Sequence, residues 1–156
     1  MGELLPILMF LHLLGVLAGI GPTFAFARIT ATGRGDPVLG SFAVKVVRAI
    51  TTSLTIPLAA LVFATGLAML LILRHDVLGT PWLLASIVLF VASFGYSIAV
   101  QNRDLARIIE LASPAALVGP AEAAELAQRR RRVRYGGLFM RIAAGIILFL
   151  MVLKPF

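Results

Sequence analysis

Leu54 to Leu73, LTIPLAALVFATGLAMLLIL, is an apolar run that carries no formal charge anywhere along its length. A bilayer core about 30 Å thick is crossed by a helix of about 20 predominantly apolar residues, and this run has that length. Inside hydrocarbon each backbone N–H and C=O must be bonded within its own segment, so the run is a helix; it is too long and too continuously apolar for a barrel strand. Three more stretches read the same way: residues 4–27, 82–100 and 135–153, the last interrupted once, by Arg141. The fold class is therefore all-α, a four-helix transmembrane bundle forming one domain over residues 1–156, with connecting segments 28–53 and 101–134.

Composition points the same way. The 156 residues are 60% hydrophobic and 13% charged, with a mean hydropathy of +1.02. Soluble domains carry about 25% charged residues, so this chain has too little charge to cover a surface facing water. Cysteine is absent, which excludes disulfides, thiolate metal sites and thiol catalysis.

The first stretch has to be weighed against a cleaved leader, because Ala25-Phe26-Ala27 has the small-x-small form of a cleavage site. A leader wants positive charge ahead of its apolar core. Here Glu3 precedes the core, and Arg28 and Arg34 follow it. A retained helix with its N-terminus outward is the expectation.

Basic residues set the orientation, since Lys and Arg in short loops stay on the cytoplasmic side. Of 14 such residues, only Arg74 and Lys154 fall at the opposite end from the rest. The reading is a multi-pass protein of the bacterial cytoplasmic membrane, N-out and C-out. Trp82 falls at the outer interface and Tyr135 at the inner one, as an aromatic belt requires. Helices two and four are expected to extend into the cytoplasm, from Pro37 and Pro120. Asp36-Pro37, Thr80-Pro81, Ser113-Pro114 and Gly119-Pro120 each put a capping residue before a proline at a helix start. Pro57 should kink or break helix two near its entry to the membrane.

Arg129, Arg130, Arg131, Arg132 and Arg134, with Arg141 just inside the boundary, read as a collar for anionic lipid headgroups, each worth about 1 kcal/mol at the membrane surface. Four consecutive arginines on a helix point around most of its circumference, so they form no face for reading a nucleic acid groove. No nucleic acid partner is expected.

Candidate chemistry is sparse. No Asp or Glu occupies an apolar span, which argues against proton- or sodium-coupled transport, and no catalytic motif is present. His12 lies within the first span, and His12, Gly15, Gly19 and Thr23 recur at helical spacing. Gly15 and Gly19 make a G-x-x-x-G pair, where another helix backbone can approach closely. Ser86, Ser93 and Ser97 form a small polar stripe on helix three; Gly66 and Gly145 sit in loosely similar contexts on helices two and four. These residues are read as helix-packing positions. His12 is expected to hydrogen-bond a Ser or Thr hydroxyl or a freed carbonyl of a neighbouring helix, the alternative being a haem or metal ligand. Haem held by two axial histidines needs them at similar depth, and the other histidine, His75, lies just beyond helix two.

Phe10-Leu11-His12-Leu13-Leu14-Gly15, Thr65-Gly66-Leu67 and Thr80-Pro81-Trp82-Leu83 together resemble a family of small bacterial predicted integral membrane proteins with four helices and no known function. More distantly the chain is similar to copper-resistance protein D and to the haem-associated membrane protoporphyrinogen oxidase. That likeness implies His12 as a ligand to haem b or copper. Helix three here holds no Lys and no His, so the oxidase pattern is incomplete. The function expected from the sequence is non-enzymatic: a self-associating bundle, or an accessory subunit of a larger membrane complex. A redox protein using His12 comes second and an oligomeric transporter or channel third.

Overall fold

The computed structural model describes residues 4–112 and 119–155. Four long helices carry the chain back and forth: α1 Leu4–Thr32, α2 Pro37–Leu73, α3 Pro81–Leu111 and α4 Pro120–Leu153. All four are long and apolar enough to cross a membrane, and no strand occurs among the described residues. The ends of α1 and α3 and the starts of α2 and α4 share one end of the bundle, the end that holds most of the arginines. The turn after α2 lies at the other end, with Leu4 and Leu153.

What is buried and what is exposed explains why the sequence is so apolar. Leu17, Leu71 and Val152 lie on the apolar spans and are 73%, 72% and 68% exposed. In water such a surface would aggregate; in lipid it is the solvated surface. Between the spans the contacts are small. Ala59, Val62 and Thr65 of α2, Leu83 and Ser86 of α3, and Ala143 and Leu150 of α4 are buried.

The helices outrun the membrane. At 1.5 Å per residue, the 37 residues of α2 are about 55 Å long against a core of about 30 Å. The sequence led us to expect extensions on α2 and α4. α3 also continues, through Asn102–Leu111, and α1 continues through Phe26–Thr32. The α3 extension is helical for a reason visible in its pattern: Leu105, Ile108 and Leu111, at i, i+3 and i+6, are buried, with the charged Arg107 and Glu110 among the residues between them. Gly33 and Gly40 let the legs of α1 and α2 come together, since a Cβ on Gly33 would collide with the Gly40 backbone.

Helix starts largely follow the proline signals. Asp36 caps α2, its Oδ1 accepting from the Val38 and Leu39 amides at 2.8 and 3.1 Å. Pro120 opens α4. Thr80 precedes Pro81 but does not cap α3; its hydroxyl donates back to the Asp76 carbonyl at 2.6 Å. Ser113-Pro114 lies outside the described residues. The irregularity expected at Pro57 appears one turn earlier, as a π-turn at Thr51–Thr55. Proline has no N–H to give the carbonyl four residues back and its ring crowds that carbonyl, so the helix loosens just ahead of it. The π-turn at Val16–Ile20 in α1 ends two residues before Pro22, the same spacing as at Pro57, whereas that at Ser97–Gln101 in α3 has no proline near it. A 3-10 turn at Gly21–Phe24 surrounds Pro22.

Candidate functional site

Three arrangements of polar residues stand out: the His12 face, an ion-paired clamp between the legs of α3 and α4, and a cavity at the arginine-rich end.

His12 meets α2. Its Nδ1 lies 3.1 Å from Thr65 Oγ1. The Thr65 hydroxyl itself donates to the Leu61 carbonyl at 2.7 Å, with the Val62 carbonyl at 3.1 Å. A hydroxyl has one proton, so Thr65 Oγ1 accepts and His12 Nδ1–H donates. The imidazole rests against Gly66, where an added Cβ would stand 3.2 Å from Cε1. Interhelical bonds of this kind average about 0.6 kcal/mol in a membrane. Gly15 and Gly19 bring α1 onto the same helix, because Cβ atoms there would stand 2.8 Å from Val62 Cγ2 and 2.7 Å from Leu58 Cβ. The G-x-x-x-G pair is thus spent inside the chain. Thr23 bonds its own helix, at the Ile20 carbonyl. Ser86 is buried and bonds the Trp82 carbonyl, whereas Ser93 Oγ is buried without a partner. Gly145, expected to pack, has open space where a Cβ would go.

The structure does not bring the two histidines together. Thr65, which His12 touches, lies ten residues before His75, about 15 Å along the helix axis. Among the described residues no three His, Cys, Asp or Glu side chains converge. The residues present offer one imidazole Nε2 and do not fit a haem held by two histidines.

The clamp is built on Asp104, on α3 beyond its apolar run. It is 1% exposed. Its carboxylate accepts from Arg132 Nε and Nη2 at 2.5 and 2.8 Å and from Arg129 Nη1 at 2.6 Å. Arg129 also reaches Glu125 at 2.7 Å, and Glu125 takes a fork from Arg107 at 3.1 and 3.3 Å. The hydrogen bond from Arg132, with its charge and that of Arg129, holds the Asp104 carboxyl below its ordinary value against the opposing effect of burial. Glu125 is held low chiefly by Arg107 and then by Arg129. Arg129 and Arg132 are therefore engaged within the protein. The physical reason is their spacing: at i and i+3 they share the face of α4 that meets Asp104.

The other arginines turn elsewhere. Arg130, Arg134 and Arg141, at i, i+4 and i+11, share a second face of α4 and line a cavity of about 950 Å³ with Arg34 and Arg131. Its membrane end is walled by Thr51, Thr55, Ser97 and Gln101, which come from the two π-turns at that level. Arg131 and Arg134 also flank the Tyr135 ring, 5.7 and 5.2 Å from its centre. Gln101 ties α3 to α4 by donating to the Val133 carbonyl at 3.2 Å. Gly136 makes room for this, since a Cβ there would collide with Tyr96 and approach Gln101 Oε1.

Comparison with curated proteins and with solved structures finds no match. A family model matches residues 6–155, nearly the whole chain, and its description, predicted integral membrane protein, agrees with four membrane-length helices. The chain belongs to the DUF2269 family of predicted integral membrane proteins.

Proposed function

We propose that the chain is a non-enzymatic component of the bacterial cytoplasmic membrane. It is inserted with its arginine-rich end inward, and its projecting legs dock on a partner within a larger membrane complex. One observation carries this reading. The α2 leg extends beyond the apolar span and leaves Val38, Leu39 and Phe42 77%, 52% and 64% exposed. Phe42 precedes Leu54 by twelve residues, about 18 Å along the helix, so lipid tails do not cover this patch. Exposed apolar groups on a helix that also carries Lys45 have the makeup of a contact surface for protein. Self-association loses its main support, because the G-x-x-x-G pair is occupied by α2. The haem or copper reading rests on the single free Nε2 of His12.

The test is purification in mild detergent beside a Phe42→Glu variant. The wild type is expected to run in a stoichiometric complex with a second protein. The variant should keep its helical content and lose that partner. A homo-oligomer broken by the same change would assign the patch to self-association. A wild-type protein that runs as a lone monomer would end the docking proposal.

A further inference from the structure

We propose that the cavity at the arginine-rich end is a binding site for a phosphate group carried on an apolar tail, supplied by an anionic phospholipid of the adjoining leaflet. The inference stands apart from the docking patch on the α2 leg and would survive its loss.

The positive charge in this cavity is not neutralised by the protein. Among the described residues, Arg34, Arg130, Arg131, Arg134 and Arg141 form no ion pair, whereas Arg107, Arg129 and Arg132 on the neighbouring faces all do. The acid that lines the cavity, Asp36, already accepts two backbone amides at the α2 cap. A cluster of guanidinium groups around a concave space matches the fork geometry by which arginine holds phosphate oxygens.

The membrane end of the cavity points to a ligand on its own evidence. Thr55 Oγ1 is buried and lacks a hydrogen-bond partner, and Thr55 lines the space; Gln101, which also lines it, turns its Oε1 toward Gly136. Gln101 is 7% exposed. Buried polar atoms without partners are rare and call for an occupant. The two π-turns that deliver these residues break regular α-helix where the wall of the cavity needs them, and π-turns are frequent at binding sites.

The remaining lining decides what kind of phosphate fits. Phe26, Val44, Val47, Leu105, Ile108 and Met140 present apolar surface between the arginines. A free phosphate ion would leave that surface in water. A phospholipid would place its phosphate among the arginines and its glycerol hydroxyls or ester oxygens near Thr55 and Gln101, with the chains running back along the apolar spans. The space, about 950 Å³, accommodates a headgroup with the start of its chains and far exceeds a lone anion.

The experiment measures binding of short-chain phosphatidylglycerol, short-chain phosphatidylcholine and inorganic phosphate to the purified full chain by native mass spectrometry, with thermal stabilisation as a second readout. Phosphatidylglycerol is expected to bind at least tenfold more tightly than either of the others. In Arg134→Gln/Arg141→Gln that preference should fall at least tenfold with helical content unchanged. Arg130→Gln, a milder change on the same face, should give a smaller loss in the same direction and guards against misfolding of the double variant. Arg28→Gln, outside the cavity, should bind as the wild type does. Equal binding of the two lipids, or an equal loss in Arg28→Gln, would overturn the site. Inorganic phosphate binding as tightly as the lipid would overturn the assignment to a lipid.

Discussion

Replacing Asp104 with alanine is expected to cost the protein about 2–3 kcal/mol and to release the leg of α3 from that of α4. The carboxylate is almost wholly buried and takes three charge-assisted bonds from Arg129 and Arg132. Removing one partner of a fully buried ion pair typically costs about 3–5 kcal/mol. The two arginine side chains are 27% and 52% exposed and can recover part of their hydration, which brings the expectation down. Arg132 would then stand beside Arg130, Arg131 and Arg134 without its carboxylate, and Arg129 would keep only Glu125. Hydrogen exchange should rise across residues 102–111 and 121–132 and stay unchanged at residues 56–73. Uniform exchange in the variant and the wild type would show that the clamp is not what joins the legs.

The same carboxylate gives the sign of the acid response. Its folded-state pKa is depressed, so its stabilisation is complete above the unfolded value of about 4 and is lost as pH falls through the lower folded value. The legs of the wild type should loosen below about pH 4, and in Asp104→Ala that step should shrink to the part contributed by Glu125, which Arg107 and Arg129 also hold low.

The second large effect is expected at the contact of α1 with α2. Gly19→Val places a branched side chain where a single Cβ would already stand 2.7 Å from Leu58 Cβ. The α2 backbone cannot yield locally, since Ala59 N and the Leu58 carbonyl carbon lie 3.6 Å from the same point. Overpacking of this kind costs about 1–3 kcal/mol. The separation would also lengthen the bond between His12 and Thr65, which adds about 0.6 kcal/mol. A fall in melting temperature in detergent is the readout, and Gly145→Val, at a glycine with open space around it, is the control expected to melt as the wild type does. A Gly19→Val protein as stable as the wild type would mean that α1 and α2 do not pack closely through this pair.

How much of this was legible in the sequence depends on the range of the interaction. The spans are local: an apolar run either reaches membrane length or does not, and Leu54 to Leu73 does. Asp36 as a cap was equally local, decided by three residues. The helical leg at Asn102–Leu111 is legible in Leu105, Ile108 and Leu111, but the apolar run that marks the span ends at Val100, before the leg begins. The partner class of His12 was legible and its identity was not, because Thr65 and Ser86 were equivalent until the crossing of α1 and α2 was known. The arginine run was the least legible. Its division into a clamp at Arg129 and Arg132 and a cavity wall at Arg130, Arg134 and Arg141 follows helical spacing, but which face meets α3 is fixed by the position of Asp104, more than twenty residues away. Nothing in the sequence around Ser97–Gln101 announces a π-turn.

The account depends on the arginine-rich end of the bundle facing the cytoplasm. The absence of cysteine makes this measurable without altering the background. Single cysteines at Leu78, 82% exposed between α2 and α3, and at Val38, 77% exposed at the start of the α2 leg, would be treated with a membrane-impermeant maleimide in sealed cells and again after permeabilisation. The account predicts labelling of Leu78→Cys in sealed cells and of Val38→Cys only once the membrane is opened. Labelling of Val38→Cys from outside, with Leu78→Cys protected, would contradict it.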